Sequence, residues 1–288
     1  MTAFMKLANS GARIFVPDGS TPEEALGRTT HMGIVAHQDD LEIAAYHGIL
    51  QCYEDDRKHF FGVVITDGRG SPREGEYASL SDEEIRRIRM EEQMEAAVIG
   101  KYSGLALLDY RSERARDTGD EGPDTDLETL ISAATPETMY THNLFDKHDT
   151  HLAVALRVIT TLRRLPARLH PARLYGAEVW RGLEWLPGKD RVALDVSARP
   201  ELAAELIRAH DSQISAGKRL DLATAGRRLA NATYADAHSV DRAEALIYAL
   251  EMIPLIQDRS LEIDTFMQQI IARFSAETIE AYRKLSSQ

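Results

Sequence analysis

Four side chains suited to metal chemistry lie within six residues of the chain. The segment His37-Gln38-Asp39-Asp40-Leu41-Glu42 carries one imidazole and three carboxylates. An imidazole and a carboxylate three residues apart at a strand-to-helix turn can converge on one cation. We predict that His37 and Asp40 are metal ligands and that Asp39 is a general base facing a metal-bound water. The alternative is that these acids satisfy the free N–H groups of a helix start.

Glu42 has two interpretations that both fit the sequence. It could accept a hydrogen bond from a ligand histidine, as carboxylates near metal sites commonly do. It could equally be a surface charge that complements the positive end of the helix dipole.

A second cluster contains three histidines and two aspartates within residues 141–151. His148 and His151 are three residues apart at a predicted helix start, which places them on one helix face. We predict that His151 binds the metal while His148 faces the substrate. His37, Asp40 and His151 would then form a three-ligand zinc site with a vacant fourth position, as in catalytic zinc centres. His142 directly follows a predicted strand and is not assigned as a ligand.

The elements that must position these clusters alternate between strands and helices. Short β-branched apolar runs predict strands at 31–37, 60–66, 105–108, 138–141, 173–179 and 191–196. Helical spacing or length predicts helices at 41–53, from a capping box at Ser81 and Glu84 to Gly100, between residues 108 and 138, and at 151–165, 200–210, 243–252 and 276–285. This alternation predicts an α/β fold with a Rossmann-like parallel sheet flanked by helices. Both clusters follow predicted strands, where open α/β sheets bind their ligands.

The composition excludes several classes of protein. The chain has 288 residues, a single cysteine and a formal net charge of -12. One cysteine rules out an intramolecular disulfide framework and favours a reducing, cytoplasmic location. The sequence contains no apolar run long enough for a membrane span and no signal-peptide h-region, so we expect neither membrane nor export. The acidic balance argues against nucleic acid as a partner, and a homo-oligomer is compatible with the sequence.

The two clusters resemble motifs of the PIG-L/LmbE-like family of zinc-dependent N-deacetylases. The Ala-His-Pro-Asp-Asp-Glu-type motif of that family is matched by residues 36–42, with Gln38 in place of proline and the final acid shifted to Glu42. The His-x-x-His element is matched by residues 148–151. Residues 86–100 are similar to the Arg-x-x-Glu helix of the family, and residues 210–213 match its His-x-Ser-Gln. Together these matches span roughly residues 32–213.

The resemblance implies a role for each matched residue. His37, Asp40 and His151 would bind Zn²⁺, with another divalent metal such as Fe²⁺ as the alternative. Asp39 would activate the zinc-bound water, and His148 would stabilise the oxyanion or protonate the amine. Substrate contacts would come from the loop after the second predicted strand, through Arg69 and Arg73.

The implied activity is removal of an N-acetyl or related N-acyl group from an N-acetylglucosamine-type sugar or sugar conjugate. The alternatives are an amidase acting on another sugar-containing conjugate and a non-catalytic metal-binding or sugar-binding module. We predict that residues 1–213 form the catalytic domain and that residues 214–288 form a mainly helical C-terminal extension packed on it.

Overall fold

The fold is built around one mixed sheet. The computed structural model describes residues 6–235 and 238–286. Within these residues the strands form an eight-stranded sheet in the order β1-β4-β3-β2-β5-β6-β8-β7. The strands are β1 (Arg13–Phe15), β2 (His31–Val35), β3 (Phe60–Thr66), β4 (Gly104–Tyr110), β5 (Thr138–His142), β6 (Arg173–Ala177), β7 (Arg191–Asp195) and β8 (Leu246–Glu251).

Helices cover both faces of the sheet. They are α1 (Pro22–Gly27), α2 (Asp40–Ala44), α3 (Tyr46–Glu54), α4 (Asp82–Ile99), α5 (Ser112–Arg116), α6 (Gly122–Ala134), α7 (Asp149–Arg164), α8 (Pro200–Arg208), α9 (Asp211–Gln213), α10 (Leu220–Ala232), α11 (Ile253–Gln257) and α12 (Ile263–Ser286). In the described part of the chain no helix is both long and apolar enough to cross a membrane.

The strand order creates a ligand-binding position between β2 and β5. Strands β2 to β6 run parallel, whereas β1 and β8 are antiparallel to their neighbours. The chain leaves β2 toward β3 on one side and later returns to β5 on the other. The connections therefore diverge beyond the carboxyl ends of β2 and β5, where α/β sheets bind ligands. The predicted Rossmann-like α/β fold is confirmed.

One predicted helix is wrong. Residues 243–252 contain a strand, β8, which lies between β6 and β7. Its apolar run is buried on both faces of the sheet, and such a short run has no periodicity that separates strand from helix. A strand from beyond residue 213 therefore lies inside the sheet, while the domain division near residue 213 remains a prediction.

The capping box predicted at the start of α4 is confirmed. The Ser81 hydroxyl accepts the Glu84 backbone N–H at 3.3 Å, and the Glu84 carboxylate accepts the Ser81 backbone N–H at 2.8 Å. The predicted helix over 41–53 is instead divided into α2 and α3 at Ala45. Because of this division, α2 begins within the first cluster, at Asp40, while α3 packs against β2 and β3.

Gly33 in β2 permits the close packing of the helices that follow the first cluster. A Cβ atom there would lie 2.7 Å from Leu41 Cδ2, 2.9 Å from Phe60 Cζ and 3.1 Å from Ala45 Cβ. We expect Gly33→Ala to lower the free energy of unfolding by about 1 to 3 kcal/mol, measured by chemical denaturation, because overpacking forces neighbours to move. Gly226→Ala in α10 is the matched control, since nothing lies within 4 Å of its Cβ position. Equal stability of the two variants would contradict the packing argument.

Candidate active site

The turn after β2 projects the first cluster into the cleft beyond the sheet. Asp39 has a left-handed backbone (φ 98°), a conformation that aspartate tolerates better than most residues. It occupies the N-cap position of α2, yet its side chain makes no capping hydrogen bond. The Asp40 carboxylate instead accepts the backbone N–H of His37 at 2.8 Å. The helix-capping alternative therefore does not account for Asp39, whose carboxylate lines the cleft.

The start of α7 supplies the second cluster. His148 is the N-cap residue, and its Nδ1 accepts the backbone N–H of Thr150 at 3.3 Å. His151 lies in the first turn and is fully buried. The rings of His148 and His151 are stacked, with 4.5 Å between their centroids. The structure thus brings the two predicted histidines beside the turn after β2.

Three donor atoms from the two clusters form a nearly equilateral triangle. His37 Nδ1 lies 3.2 Å from Asp40 Oδ2 and 3.1 Å from His151 Nε2, and the latter two atoms are 3.2 Å apart. Ligands about 2.0 to 2.2 Å from a tetrahedral zinc are separated by roughly 3.3 Å. The observed separations suit a single divalent metal held by His37, Asp40 and His151.

Two other histidines lie close enough to be considered as ligands. Donor atoms of His37, His148 and His151, and likewise those of Asp40, His142 and His151, lie within 4.8 Å of one another. His142 Nε2, however, accepts the backbone N–H of Ala36 at 2.9 Å, so its lone pair is already used. His148 Nδ1 is used in the same way by Thr150.

Asp146 was not assigned from the sequence, although it stands in the second cluster. Its carboxylate lies 3.4 Å from His151 Nδ1 and also accepts the backbone N–H groups of His148 and Trp180. A carboxylate on the far nitrogen of a ligand histidine fixes the ring orientation and its tautomer. The one sign of this role in the sequence is that Asp146 lies two residues before His148, within the second cluster.

The three candidate ligands His37, Asp40 and His151, which we call the metal corner, hold a proton that a metal must displace. Burial favours neutral His151, but Asp40 and Asp146 outweigh it and raise its pKa to about 9. Burial lowers the pKa of His37 to about 4, despite its bond to Asp40. Burial opposes ionisation of Asp40 too, but His151 and His142 hold its pKa well below the usual range. At neutral pH the site therefore contains protonated His151, neutral His37 and ionised Asp40.

Metal affinity should consequently rise with pH up to about 9. One proton leaves His151 when a metal binds, so each unit of pH below that value should weaken binding about tenfold. Titration calorimetry of the metal-free protein at neutral pH, in buffers of different ionisation enthalpy, should count about one proton released. Release of no proton would show that His151 is not a protonated ligand.

Asp39 is buried beside the metal corner and held by α4. Its backbone N–H donates to Gln93 Oε1 at 3.1 Å, and Arg89 Nη2 lies 3.4 Å from its Oδ1. Burial raises the pKa of Asp39 to about 6, although Arg89 opposes the shift. A carboxylate with a pKa near 6 is well matched to proton transfer at neutral pH.

Glu42 corresponds to neither of its two interpretations. It is fully buried and accepts hydrogen bonds from Tyr102 at 2.6 Å and Gln93 at 2.8 Å. Its other oxygen lies 3.0 Å from Nε2 of His210, which is not a ligand of the proposed metal site. Burial opposes protonation of His210, but Glu42 and Asp39 outweigh it and raise the pKa of the imidazole. Glu42 therefore links α2, at the end of the turn after β2, to His210 at the start of α9.

Helix α4 connects the remaining matched motifs. The Glu92 carboxylate accepts the backbone N–H and the hydroxyl of Ser212, each at 2.6 Å. One turn earlier, Arg89 donates to the Gln38 carbonyl at 2.5 Å and to the Ser71 hydroxyl. The Arg-x-x-Glu pair thus fixes both the turn that carries Asp39 and the segment that carries Gln213, which lines the cleft.

The cleft in front of these residues has a volume of ≈ 560 Å³. Gly68, Gly70, Ser71 and Pro72 from the loop after β3 line it. The two predicted substrate-binding arginines are not among its lining residues. Arg69 donates to Asp67 at 2.5 Å, while Arg73 bonds to Asp82 and the Leu80 carbonyl. Their contact with substrate remains a prediction, and the structure does not bring these guanidinium groups to the cleft.

His148 faces the same cleft with its remaining nitrogen. Burial and the nearby charge of His151 lower the pKa of His148, so it is neutral at neutral pH. Because Nδ1 accepts from Thr150, the proton of the neutral ring is on Nε2. His148 can therefore donate a hydrogen bond to an oxygen atom bound beside the metal corner.

Solved structures with this fold belong to proteins with different activities. The N,N'-diacetylchitobiose deacetylase of Pyrococcus horikoshii is 18% identical, with 81% of this chain and 88% of that chain covered and a TM-score of 0.57. The 4-carboxy-2-hydroxymuconate hydratase of Pseudomonas putida KT2440 is 15% identical, with 78% and 96% covered and a TM-score of 0.57. The zinc-inhibited form of the teicoplanin deacetylase Orf2 is 13% identical, with 77% and 98% covered and a TM-score of 0.51. At these identities the similarity establishes the fold.

A sequence comparison relates part of the chain to a known family. The chain has no significant match among functionally curated proteins. Residues 32–162 match the sequence model of the PIG-L family, described as GlcNAc-PI de-N-acetylase, and this segment contains both histidine clusters. Residues 32–162 of the chain are therefore similar to the PIG-L family, and the resemblance predicted from the motifs is confirmed over this segment.

Proposed function

We propose that this protein is a metal-dependent hydrolase that removes an N-acetyl or related N-acyl group from an N-acetylglucosamine-type sugar or sugar conjugate. The supporting observation is the triangle of His37, Asp40 and His151 donor atoms with Asp39 and His148 beside it. Metal binding alone would require neither of these last two residues. The family match supports deacetylation in particular.

The metal, when bound by the three ligands, would polarise the substrate carbonyl and make a water molecule more acidic. Asp39 accepts the proton of the attacking water, since its buried carboxylate has a pKa of about 6. The water oxygen first bonds to the carbonyl carbon, and the amide C–N bond then breaks as Asp39 returns the proton to the leaving amine. Arg89 and Gln93 hold Asp39 in place during both transfers.

His148 stabilises the negative charge that develops on the carbonyl oxygen. Its Nε2–H donates a hydrogen bond in a partly buried cleft, where a fixed donor is more effective than water. The Thr150 N–H fixes the ring so that little reorganisation is needed at the moment of reaction. The alternative role, protonation of the leaving amine, would require His148 to be protonated first, and burial lowers its pKa against that state.

Zinc is the proposed metal, with Fe²⁺ as the alternative. The N and O donor set suits both, and His37 and His151 are typical ligands of either metal. The teicoplanin deacetylase Orf2, which has this fold, has been solved in a zinc-inhibited form, so zinc acts on at least one protein of this fold. Activity of the metal-free protein reconstituted with Zn²⁺ and, anaerobically, with Fe²⁺ identifies the active metal.

Acetate release distinguishes this function from its rivals. The hydratase shows that the same fold serves a reaction other than deacetylation. The test is a panel of N-acetylglucosamine derivatives, assayed for acetate and for the free amine in equal amounts. Hydrolysis of another sugar-containing amide would favour the amidase alternative. Metal uptake without hydrolysis of any N-acyl sugar would favour the non-catalytic module.

We also propose that the protein acts in the cytoplasm on a small-molecule substrate. The single cysteine, Cys52, is partly buried and burial raises its pKa to about 12, so it behaves as an inert thiol. A protein without disulfides suits a reducing compartment. Fractionation of the native cells tests this location.

A further inference from the structure

One wall of the cleft is formed by α10. The lining residues Leu220, Ala223, Thr224 and Arg227 recur at helical spacing and therefore share one face. The small side chains of Ala223 and Thr224 leave space in front of this face. The cleft therefore has room beside the metal-ligand residues for a part of the substrate that does not react.

Trp180 connects the metal corner to this wall. Its side chain is unusually open for tryptophan, at 42% exposed, and it lines the cleft. Its ring lies 27° from parallel to the ring of His148, with 6.1 Å between centroids. A substrate bound at His148 can therefore continue across the indole face, which offers a flat apolar surface to a sugar ring.

Two cations without carboxylate partners stand at this end of the cleft. Lys218 Nζ lies 5.4 Å from the Trp180 ring centroid, and among the described residues it makes no ion pair or hydrogen bond. Burial lowers the pKa of Lys218, while the nearby charges of Asp39 and Asp40 favour its protonated form without contacting it. Arg227 donates to the Val179 carbonyl, and in the same described ranges no carboxylate bonds to it.

The two other arginines that line the cleft have carboxylate partners. Arg116 lies 3.9 Å from Glu113, and Arg89 lies 3.4 Å from Asp39. Lys218 and Arg227 thus place positive charge in the cleft of a protein with a net charge of -12. They raise the local concentration of anions and give them charge-assisted hydrogen bonds.

We propose that Trp180, Lys218 and Arg227 form a subsite for an anionic group, a carboxylate or a phosphate, attached to the amino sugar. The inference rests on the proposed function, because it places the N-acyl sugar between the metal corner and Trp180. It narrows the substrate to acidic sugar conjugates. Recognition then comes from the C-terminal part of the chain rather than from the loop that carries Arg69 and Arg73.

Binding to the metal-loaded Asp39→Asn protein tests the subsite without turnover. The probes are carboxymethyl N-acetylglucosaminide, its neutral carboxamide and N-acetylglucosamine 1-phosphate, titrated by calorimetry at low ionic strength. The carboxylate and the carboxamide differ in charge and hardly in shape. We expect at least about tenfold tighter binding of the carboxylate, because charged hydrogen bonds are the stronger ones. The affinity of N-acetylglucosamine 1-phosphate, compared with that of the carboxylate, shows which anion the subsite binds more tightly.

The variant carrying both Lys218→Gln and Arg227→Gln should bind the carboxylate and the carboxamide equally. Arg219→Gln is the matched control, since Arg219 neighbours Lys218 but pairs with Asp221 outside the cleft. An anion preference that survives in the double variant would place the anion at the metal and overturn the subsite. Equal affinities in the parent protein, or no binding of any probe, would overturn it as well.

Acetate release from the wild-type protein is measured separately and reports on the proposed function. Charge-dependent binding without acetate release would retain the subsite and reject deacetylation. Acetate release from all three probes at similar kcat/KM would retain deacetylation and reject the subsite.

Discussion

Asp39→Asn is expected to lower the rate of acetate release by about a hundred- to ten-thousandfold, because an amide cannot accept the proton of the attacking water. The metal content should be unchanged, since the three donor atoms of the metal corner belong to His37, Asp40 and His151. Asparagine also tolerates the left-handed backbone of this position. Steady-state assays and metal analysis of the same preparation measure both quantities.

The same assignment predicts an acidic limb in the pH profile of the wild-type enzyme. Burial raises the pKa of Asp39 to about 6, and only the ionised carboxylate acts as a base. The rate should therefore fall as the pH drops through about 6 and level off above it. Asp149→Asn is the control, because Asp149 is an exposed acid that does not line the cleft. Normal turnover of Asp39→Asn would remove Asp39 from the mechanism.

His151→Ala should abolish stable metal binding and, with it, acetate release. It removes one of three ligands and leaves the carboxylates of Asp40 and Asp146 buried without their common partner. Asp146→Asn keeps the ligand and loosens only its orientation, so metal affinity should fall by about ten- to hundredfold. Competition with a chromogenic chelator ranks the wild type and the two variants.

A surface histidine provides the control for metal loss. His59 is partly exposed and distant from the cleft lining, so His59→Ala should bind metal as the wild type does. A circular dichroism spectrum of each variant separates ligand loss from unfolding. Full metal occupancy in folded His151→Ala protein would show that the ligand set is wrong.

The sequence identifies the metal corner well because its residues are local. His37 and Asp40 share one turn, and His148 and His151 share one helix start, so spacing alone limits where their side chains point. The strands that precede them are short apolar runs bounded by polar residues, which predicts both the sheet and the edge where the clusters meet. Spacing does not tell which histidine nitrogens keep a lone pair for a metal. His142 Nε2 and His148 Nδ1 accept backbone N–H groups, and only the fold brings these groups to the rings.

Contacts between residues far apart in the chain could not be predicted from local sequence patterns. Glu42 meets His210 across 168 positions, and no local pattern relates a helix residue to one so far along the chain. The Arg-x-x-Glu motif was visible, but its use depends on Ser212 and Gln38 approaching α4 from different segments. Arg69 and Arg73 follow β3 as predicted, yet Asp67, directly after β3, and Asp82, at the start of α4, bind their guanidinium groups.

The position of β8 has a consequence for synthesis of the chain. In the described residues β7 pairs with β8 and with no other strand, while β6 relies on β8 along its outer edge. The ribosome makes β7 roughly fifty residues before β8 is complete, a delay of a few seconds at about 5 to 20 residues per second. During that interval the nascent sheet has an unpaired edge that can bind other unfolded chains. We expect chaperones to bind this intermediate after both histidine clusters have been synthesised and before β8 pairs with β6 and β7.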